Sequence, residues 1–191
     1  MKRYIALLRG VNVGGNNIIS MRDLKASCER QGFRNVTTYI NSGNIAFDSD
    51  LSECVAKAEF EKLILSDFGL SITVCIIATD DLREALAHAP DWWDAVAGSG
   101  AGSGSGAGSG ADAKHNAIFV IPPMTAEEAC ADIGEIKPEY EKVAHHGNVI
   151  FWTAPIATFS HTRWSNIAKH RAVYNAVTVR NANTAKKLAN L

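Results

Sequence analysis

The chain has 191 residues, is 47% hydrophobic and carries a formal net charge of −1, so it can bury a core as one large domain or two small ones. No apolar run approaches the ~20 residues that cross a bilayer, and only five apolar residues follow the basic start, too few for a secretory signal. We therefore expect a cytoplasmic protein without a membrane partner.

Charge is distributed unevenly along the chain. All 20 acidic residues lie at or before Glu141, whereas the last 50 residues carry seven lysines and arginines. Such a basic segment favours a phosphate-bearing partner, or equally an attraction between an acidic and a basic half. The four cysteines are scattered without C-x-x-C spacing, which predicts reduced thiols and no zinc site. No motif indicates a cofactor.

The first part of the chain alternates strand and helix patterns. In chain order, the predicted elements are strand 3–9, helix 20–31, strand 34–40, strand 44–48, helix 52–67, strand 71–78 and a further helix near 80–88. The first six follow the β-α-β-β-α-β order of the ferredoxin-like fold.

A segment made only of glycine, serine and alanine follows at 97–111. This composition predicts a flexible linker, and its regularity indicates that it was introduced in place of a native loop. We exclude it from functional reasoning. It separates a predicted N-terminal half, 1–96, from a predicted C-terminal half, 112–191.

The C-terminal half repeats the pattern of the first. Its predicted elements are strand 116–121, helix 125–133, strand 139–145, strand 148–152, an irregular or helical stretch at 161–170, strand 176–180 and helix 182–190. The hairpin Ser42-Gly43-Asn44-Ile45 matches His146-Gly147-Asn148-Val149 about 104 residues later, which favours an internal duplication. We predict an α+β protein built from two ferredoxin-like halves.

One sheet edge of the first half gathers polar residues, because the first and second strands end there and the third begins there. The predicted ligand-binding residues at this edge are Arg9, Asn12, Gly14, Gly15, Asn16, Asn41, Ser42 and Asn44. Ser20 and Asp23 indicate a helix start directly after the loop, and a helix N-terminus favours an anion. The same residue types are also typical of ordinary turns. The loop matches neither a Walker motif nor a dinucleotide-binding motif.

A second polar edge is predicted in the C-terminal half, where its first strand begins and its last strand ends. It would bring together Asn116, Arg180, Asn181, Asn183 and Thr184. His115 lies beside this group and is a weak candidate for proton transfer. The alternative is a histidine that only makes structural hydrogen bonds.

Four ordered motifs carry a resemblance to a known family. They are residues 8–15 (LRGVNVGG), 39–44 (YINSGN), 114–117 (KHNA) and 177–184 (VTVRNANT). Together they resemble the bacterial domain-of-unknown-function family 1697. The resemblance implies a two-part α+β protein with paired ferredoxin-like halves and no established activity.

The sequence leaves three functions open. The first is a binding module for a nucleotide or a nucleic-acid segment, although the strand at 44–48 lacks the basic, aromatic-rich pattern of RNA-binding sheets. The second is an enzyme for a phosphorylated or carboxylated metabolite, with Arg9 and Arg180 binding the anion. The third is an interaction scaffold for an unknown protein partner.

Overall fold

The computed structural model describes residues 1–94 and 113–191, so the predicted linker at 97–111 lies outside the described residues. The chain divides into two compact units. The first contains Met1–Glu84 and Lys186–Leu191, and the second contains Ala85–Ala185. Among the described residues, no helix combines the length and the apolar character needed to span a membrane.

The first part of the chain forms four strands and three helices close to their predicted positions. They are β1 (Lys2–Leu8), α1 (Met21–Arg30), β2 (Arg34–Tyr39), β3 (Asn44–Ser49), α2 (Glu53–Phe68), β4 (Val74–Ala78) and α3 (Thr79–Ala87). Helices α1 and α2 begin after Ser20 and Ser52, whose hydroxyls accept hydrogen bonds from the backbone of Asp23 and Val55.

The four strands form one antiparallel sheet in the order β2-β3-β1-β4. Ile5 of β1 lies opposite Ala46 of β3 on one side and opposite Ile77 of β4 on the other. This order places the ends of β1 and β2 and the start of β3 at one end of the sheet, as the β-α-β-β-α-β order requires.

Alternate residues of β1 point towards the two helices, because side chains alternate between the faces of a strand. Tyr4 and Leu8 belong to a buried core that also contains Leu24 of α1 and Phe60 of α2. Phe47 of β3 packs against Phe60 with a ring-centroid distance of 4.8 Å. This core holds the strand ends in fixed positions.

The second unit contains a sheet of the same order, β6-β7-β5-β8. In chain order the elements of the C-terminal half are β5 (Ala113–Val120), α4 (Ala126–Ile133), β6 (Lys142–His146), β7 (Val149–Pro155), two 3₁₀ helices (Ile156–His161 and Trp164–Lys169), α5 (Arg171–Asn175), β8 (Val177–Asn181) and α6 (Ala182–Leu188), whose last three residues belong to the first unit. The predicted fold class, α+β with two β-α-β-β-α-β halves, is confirmed.

Each half has the same pair of backbone hydrogen bonds at the end of its first strand. Leu8 donates its backbone N–H to Gly43 at 2.8 Å, and Val120 donates to Asn148 at 2.9 Å. One residue later, Arg9 donates to Thr73 at 3.0 Å and Ile121 to Ala176 at 2.7 Å. The position of Arg9 in the first half is thus occupied by an isoleucine in the second.

The second half departs from the first between β7 and β8. The predicted irregular stretch at 161–170 begins earlier, with a 3₁₀ helix at Ile156–His161, and ends in the short α5. The buried Glu141 carboxylate organises this region by accepting hydrogen bonds from the backbone of Arg163 at 2.7 Å and from the indole of Trp152 at 3.1 Å. Because a turn precedes and positions Glu141, β6 begins at Lys142, three residues after its predicted start at 139.

Candidate functional site

The loop after β1 is tied to the β2–β3 turn by the side chain of Asn12. Its amide nitrogen donates to the carbonyl oxygens of Asn41 at 2.8 Å and Ile19 at 2.9 Å, and its amide oxygen accepts the Ile19 N–H at 2.8 Å. The structure therefore brings the loop and the turn together at one sheet end, as predicted. Asn12 does this with all of its amide hydrogen-bonding groups engaged with backbone.

The rest of the loop folds as a small hairpin. Asn12 donates its N–H to Asn17 at 3.2 Å, Asn16 donates to Val13 at 3.0 Å, and the Asn17 side chain closes the loop on the Gly10 carbonyl at 3.0 Å. Gly14 and Gly15 form its exposed tip with φ values of +57° and +80°. These glycines allow the left-handed backbone of the tip.

The β2–β3 turn is shaped by Asn44 and Ser42. Asn44 is fully buried, and its amide nitrogen donates to the Tyr39 carbonyl at 3.1 Å and to the Ser42 hydroxyl at 2.9 Å. Gly43 has a φ of +69°, and a Cβ atom there would lie 2.7 Å from the Cβ of Leu8. Asn44, Ser42 and Gly43 thus stabilise the turn itself, in addition to any contact with a ligand.

The N-terminus of α1 follows this loop and is already capped. The Ser20 hydroxyl accepts the Asp23 N–H at 3.4 Å, and the Asp23 carboxylate lies in the first turn. An acidic side chain at this position interacts favourably with the helix dipole. It therefore competes with an external anion for the same end of the helix.

Arg9 connects this sheet end to a cavity on its β4 side. Its backbone N–H donates to Thr73, which lies directly before β4. Thr73 also contributes to the wall of a cavity of about 410 Å³. The cavity is lined by Lys57, Glu61, Lys62, Leu65, Ser71, Ile72 and Thr73.

The charge of this cavity is set by two lysines and one glutamate. Lys57 and Glu61 form an ion pair at 2.8 Å, and Glu61 also accepts the Val74 N–H at 3.0 Å. The Glu61 carboxylate is thus satisfied within the protein. Lys62 is exposed and leaves the wall with a net positive charge.

The second predicted polar group also assembles, within the second unit. Asn116 lies opposite Asn181 in the β5–β8 ladder, and a cavity of about 370 Å³ opens beside them. It is lined by Asp94, Ala113, Lys114, His115, Asn116, Asn181, Ala182 and Asn183.

Two of the predicted residues in this group do not line the cavity. Arg180 is buried and donates to the Thr178 hydroxyl and to the Val179 carbonyl, both at 2.8 Å. Thr184 is also buried, and its N–H donates to the Asn181 side chain at 2.8 Å. These contacts stabilise β8 and the start of α6.

His115 is held by its Nδ1 atom. This nitrogen accepts the Asp94 N–H at 3.1 Å and lies 3.0 Å from the Thr153 hydroxyl. Because Nδ1 accepts, the neutral ring carries its proton on Nε2, and Nε2 is buried from solvent. This geometry favours a histidine that makes structural hydrogen bonds to Asp94 and Thr153 over one that transfers a proton to a ligand.

A family model decides where the chain belongs. The model described as "Protein of unknown function (DUF1697)" matches residues 1–151. The chain belongs to the DUF1697 family. This confirms the resemblance carried by the sequence motifs.

One solved structure shares the fold of this chain. The conserved bacterial protein SP0830 from Streptococcus pneumoniae has a TM-score of 0.79 and 24% sequence identity, over 99% of this chain and 97% of that protein. An unknown protein from Galdieria sulphuraria has a TM-score of 0.24 and 9% identity, over 94% and 96% of the two chains. No curated protein matches the sequence.

The cysteine side chains of this DUF1697 chain differ in burial: Cys28 and Cys75 are buried, Cys130 is half-buried and Cys54 is exposed. All four cysteines are free, and burial raises the pKa of the Cys28 thiol to about 12. A thiol with such a pKa is a poor nucleophile at neutral pH. Within the described ranges, no three His, Cys, Asp or Glu side chains lie close enough to hold a metal ion.

The sequence did not predict the lysines and hydroxyl groups that line the cavity of about 410 Å³. Lys57 and Lys62 resemble ordinary exposed positions of α2, and Ser71 and Thr73 resemble loop residues. The available signal was topological. In a ferredoxin-like sheet the last strand pairs with the first, so the residues before β4 lie beside Arg9.

Proposed function

We propose that the protein binds a small phosphate-bearing ligand, of mononucleotide size, at the end of the first sheet. The observation that carries this proposal is the cavity of about 410 Å³ with two lysines and two hydroxyl residues in its wall, one of which, Thr73, accepts the backbone N–H of Arg9. Its volume falls within the usual range of small-molecule sites, about 300–1,000 Å³.

The electrostatics of the cavity favour an anion. Glu61 is paired with Lys57 and accepts a backbone N–H, so it adds little unbalanced negative charge. Lys62 then attracts the anionic ligand, and Ser71 and Thr73 supply hydroxyl donors to it. Hydrogen bonds from charged donors to phosphate oxygens are stronger than those between neutral groups.

A small ligand is favoured over a nucleic-acid strand. Single strands bind by stacking their bases on accessible aromatic rings. Trp93, Trp152 and Trp164 are only 7%, 4% and 2% exposed, so their rings are not accessible to bases. Tyr174 of the basic C-terminal segment is 43% exposed, and one such ring gives the successive bases of a strand little to stack on.

Titration calorimetry with inorganic pyrophosphate tests the proposal. We expect the Lys62→Gln variant to bind pyrophosphate about ten-fold more weakly than the parent protein, because it loses one charge-assisted hydrogen bond. The matched control is Lys25→Gln, an exposed lysine on α1 that pairs with Glu29 at 3.8 Å and lies outside the cavity lining. Equal affinities of the two variants, or no binding by the parent, would overturn the proposal.

A further inference from the structure

The cavity of the second unit has a different chemistry from the first. Its wall contains one lysine and one aspartate, Lys114 and Asp94, so it carries no net formal charge. Three asparagines, Asn116, Asn181 and Asn183, supply half of its polar side chains. A neutral wall rich in carboxamides does not select an anion.

The three carboxamides retain hydrogen-bonding capacity. Asn181 uses its amide oxygen to accept the Thr184 N–H at 2.8 Å, which leaves its two N–H donors. Within residues 1–94 and 113–191, the side chains of Asn116 and Asn183 make no hydrogen bond. Each carboxamide offers two donors and an acceptor side by side.

The wall that presents these groups is built on paired strands and a packed tryptophan. Asn116 is held in register opposite Asn181 across two paired strands, and its carbonyl accepts the indole N–H of Trp93 at 2.8 Å. The Trp93 ring in turn packs edge-on against Phe151, with centroids 4.9 Å apart. A wall held by such contacts loses little conformational entropy when a ligand binds.

We infer that this cavity is a second binding site, for a neutral heterocycle that carries donor and acceptor groups on one edge, the chemistry of a nucleobase. An asparagine carboxamide forms paired hydrogen bonds with such an edge, as with the adjacent acceptor and amino group of adenine. The cavity volume, about 370 Å³, lies within the range of small-molecule sites. This site is independent of the proposed phosphate site.

An amide NMR titration of the full chain with adenine tests the inference. We expect shifts at Lys114, Asn116 and Asn183, and a dissociation constant that rises about five- to ten-fold in Asn183→Ala, which loses one neutral hydrogen bond. Asn116→Asp is a second variant, because it keeps the shape of the side chain but replaces two donors by a charged acceptor. Both variants should weaken adenine binding.

Asn175→Ala is the matched control, because Asn175 is an exposed helical asparagine of the same unit that does not line the cavity. It should leave adenine binding unchanged. The absence of shifts at the cavity residues, or equal adenine affinity in all three variants, would overturn the inference. Pyrophosphate, run in parallel, reports only on the phosphate site, so the two proposals fail separately.

Discussion

At the scale of single residues, the asparagines of the first polar edge act mainly on the backbone around them. Asn12 joins the loop to Ile19 and Asn41 through three hydrogen bonds, and Asn44 supports the turn from a fully buried position. The sequence predicted where these residues lie but did not identify the hydrogen-bond partners of their side-chain amides, because those partners are 2 to 29 residues away along the chain. The edge is therefore prefolded before any ligand arrives.

Gly43 gives the first prediction. We expect Gly43→Ala to lower the free energy of unfolding by about 2–4 kcal/mol, because it adds a steric clash to the cost of a left-handed backbone. The added Cβ would lie 2.7 Å from that of Leu8. Urea unfolding followed by circular dichroism measures the change.

Gly69 provides the matched control for this prediction. It has nearly the same φ, +67°, and nothing lies within 4 Å of a Cβ built there. Gly69→Ala should cost only about 1 kcal/mol, the backbone contribution alone. Equal losses in the two variants would show that the contact with Leu8 is not tight.

At the scale of elements, Asp67 connects the two helices of the first unit. Its carboxylate on α2 accepts from the Ser27 hydroxyl at 2.6 Å and pairs with Arg30 at 3.0 Å, both on α1. The hydrogen bond from Ser27 is the main reason that the pKa of Asp67 lies below its usual value, with Ser66 and Arg30 adding to it against the effect of burial.

This link predicts part of the acid sensitivity of the protein. A carboxyl group with a lowered pKa in the folded state stabilises the fold above its unfolded pKa, about 3.9, and loses that contribution as the pH falls through its folded pKa. Asp67→Asn should therefore reduce the loss of unfolding free energy between about pH 5 and pH 2. Ser27→Ala should produce a smaller change in the same direction. An unchanged pH profile in both variants would contradict the link.

Glu141 gives a prediction for the stretch between β7 and β8. A glutamine there keeps one acceptor oxygen and replaces the other by an amide N–H₂ donor, so either the Trp152 indole N–H or the Arg163 backbone N–H would lose its acceptor. We expect Glu141→Gln to cost about 2–3 kcal/mol, and to speed amide hydrogen exchange at Arg163 and Trp164. Glu139→Gln, an exposed neighbour, should leave exchange unchanged, and fast exchange in both would contradict the role of Glu141.

The same carboxylate explains which element boundaries the sequence could not locate. Local patterns placed most helix and strand ends within a few residues, because caps such as Ser20 and Ser52 are local signals. The start of β6 and the 3₁₀ helices depend on Glu141, whose partner Arg163 is 22 residues away. A local sequence pattern does not reveal a contact at this separation, so it could not predict these boundaries.

At the scale of the whole molecule, the duplication was predictable and the sites were only partly so. The repeated hairpin motif indicated two equivalent halves, and the shared sheet order confirms them. The halves have diverged at the end of the first strand, where Arg9 corresponds to Ile121. This divergence is consistent with a site that only the first half carries. The sequence did not predict Lys57 and Lys62 as residues of its cavity, because their positions in α2 are typical of ordinary surface lysines.

The most direct test of the central claim is an amide NMR titration of the intact chain with AMP and with inorganic pyrophosphate. We expect both ligands to shift the amides of Arg9, Ser71 and Thr73, and we expect Lys62→Gln to weaken these shifts while Lys25→Gln does not. Shifts confined to other residues, or spectra unchanged by either ligand, would contradict a phosphate site at this end of the first sheet.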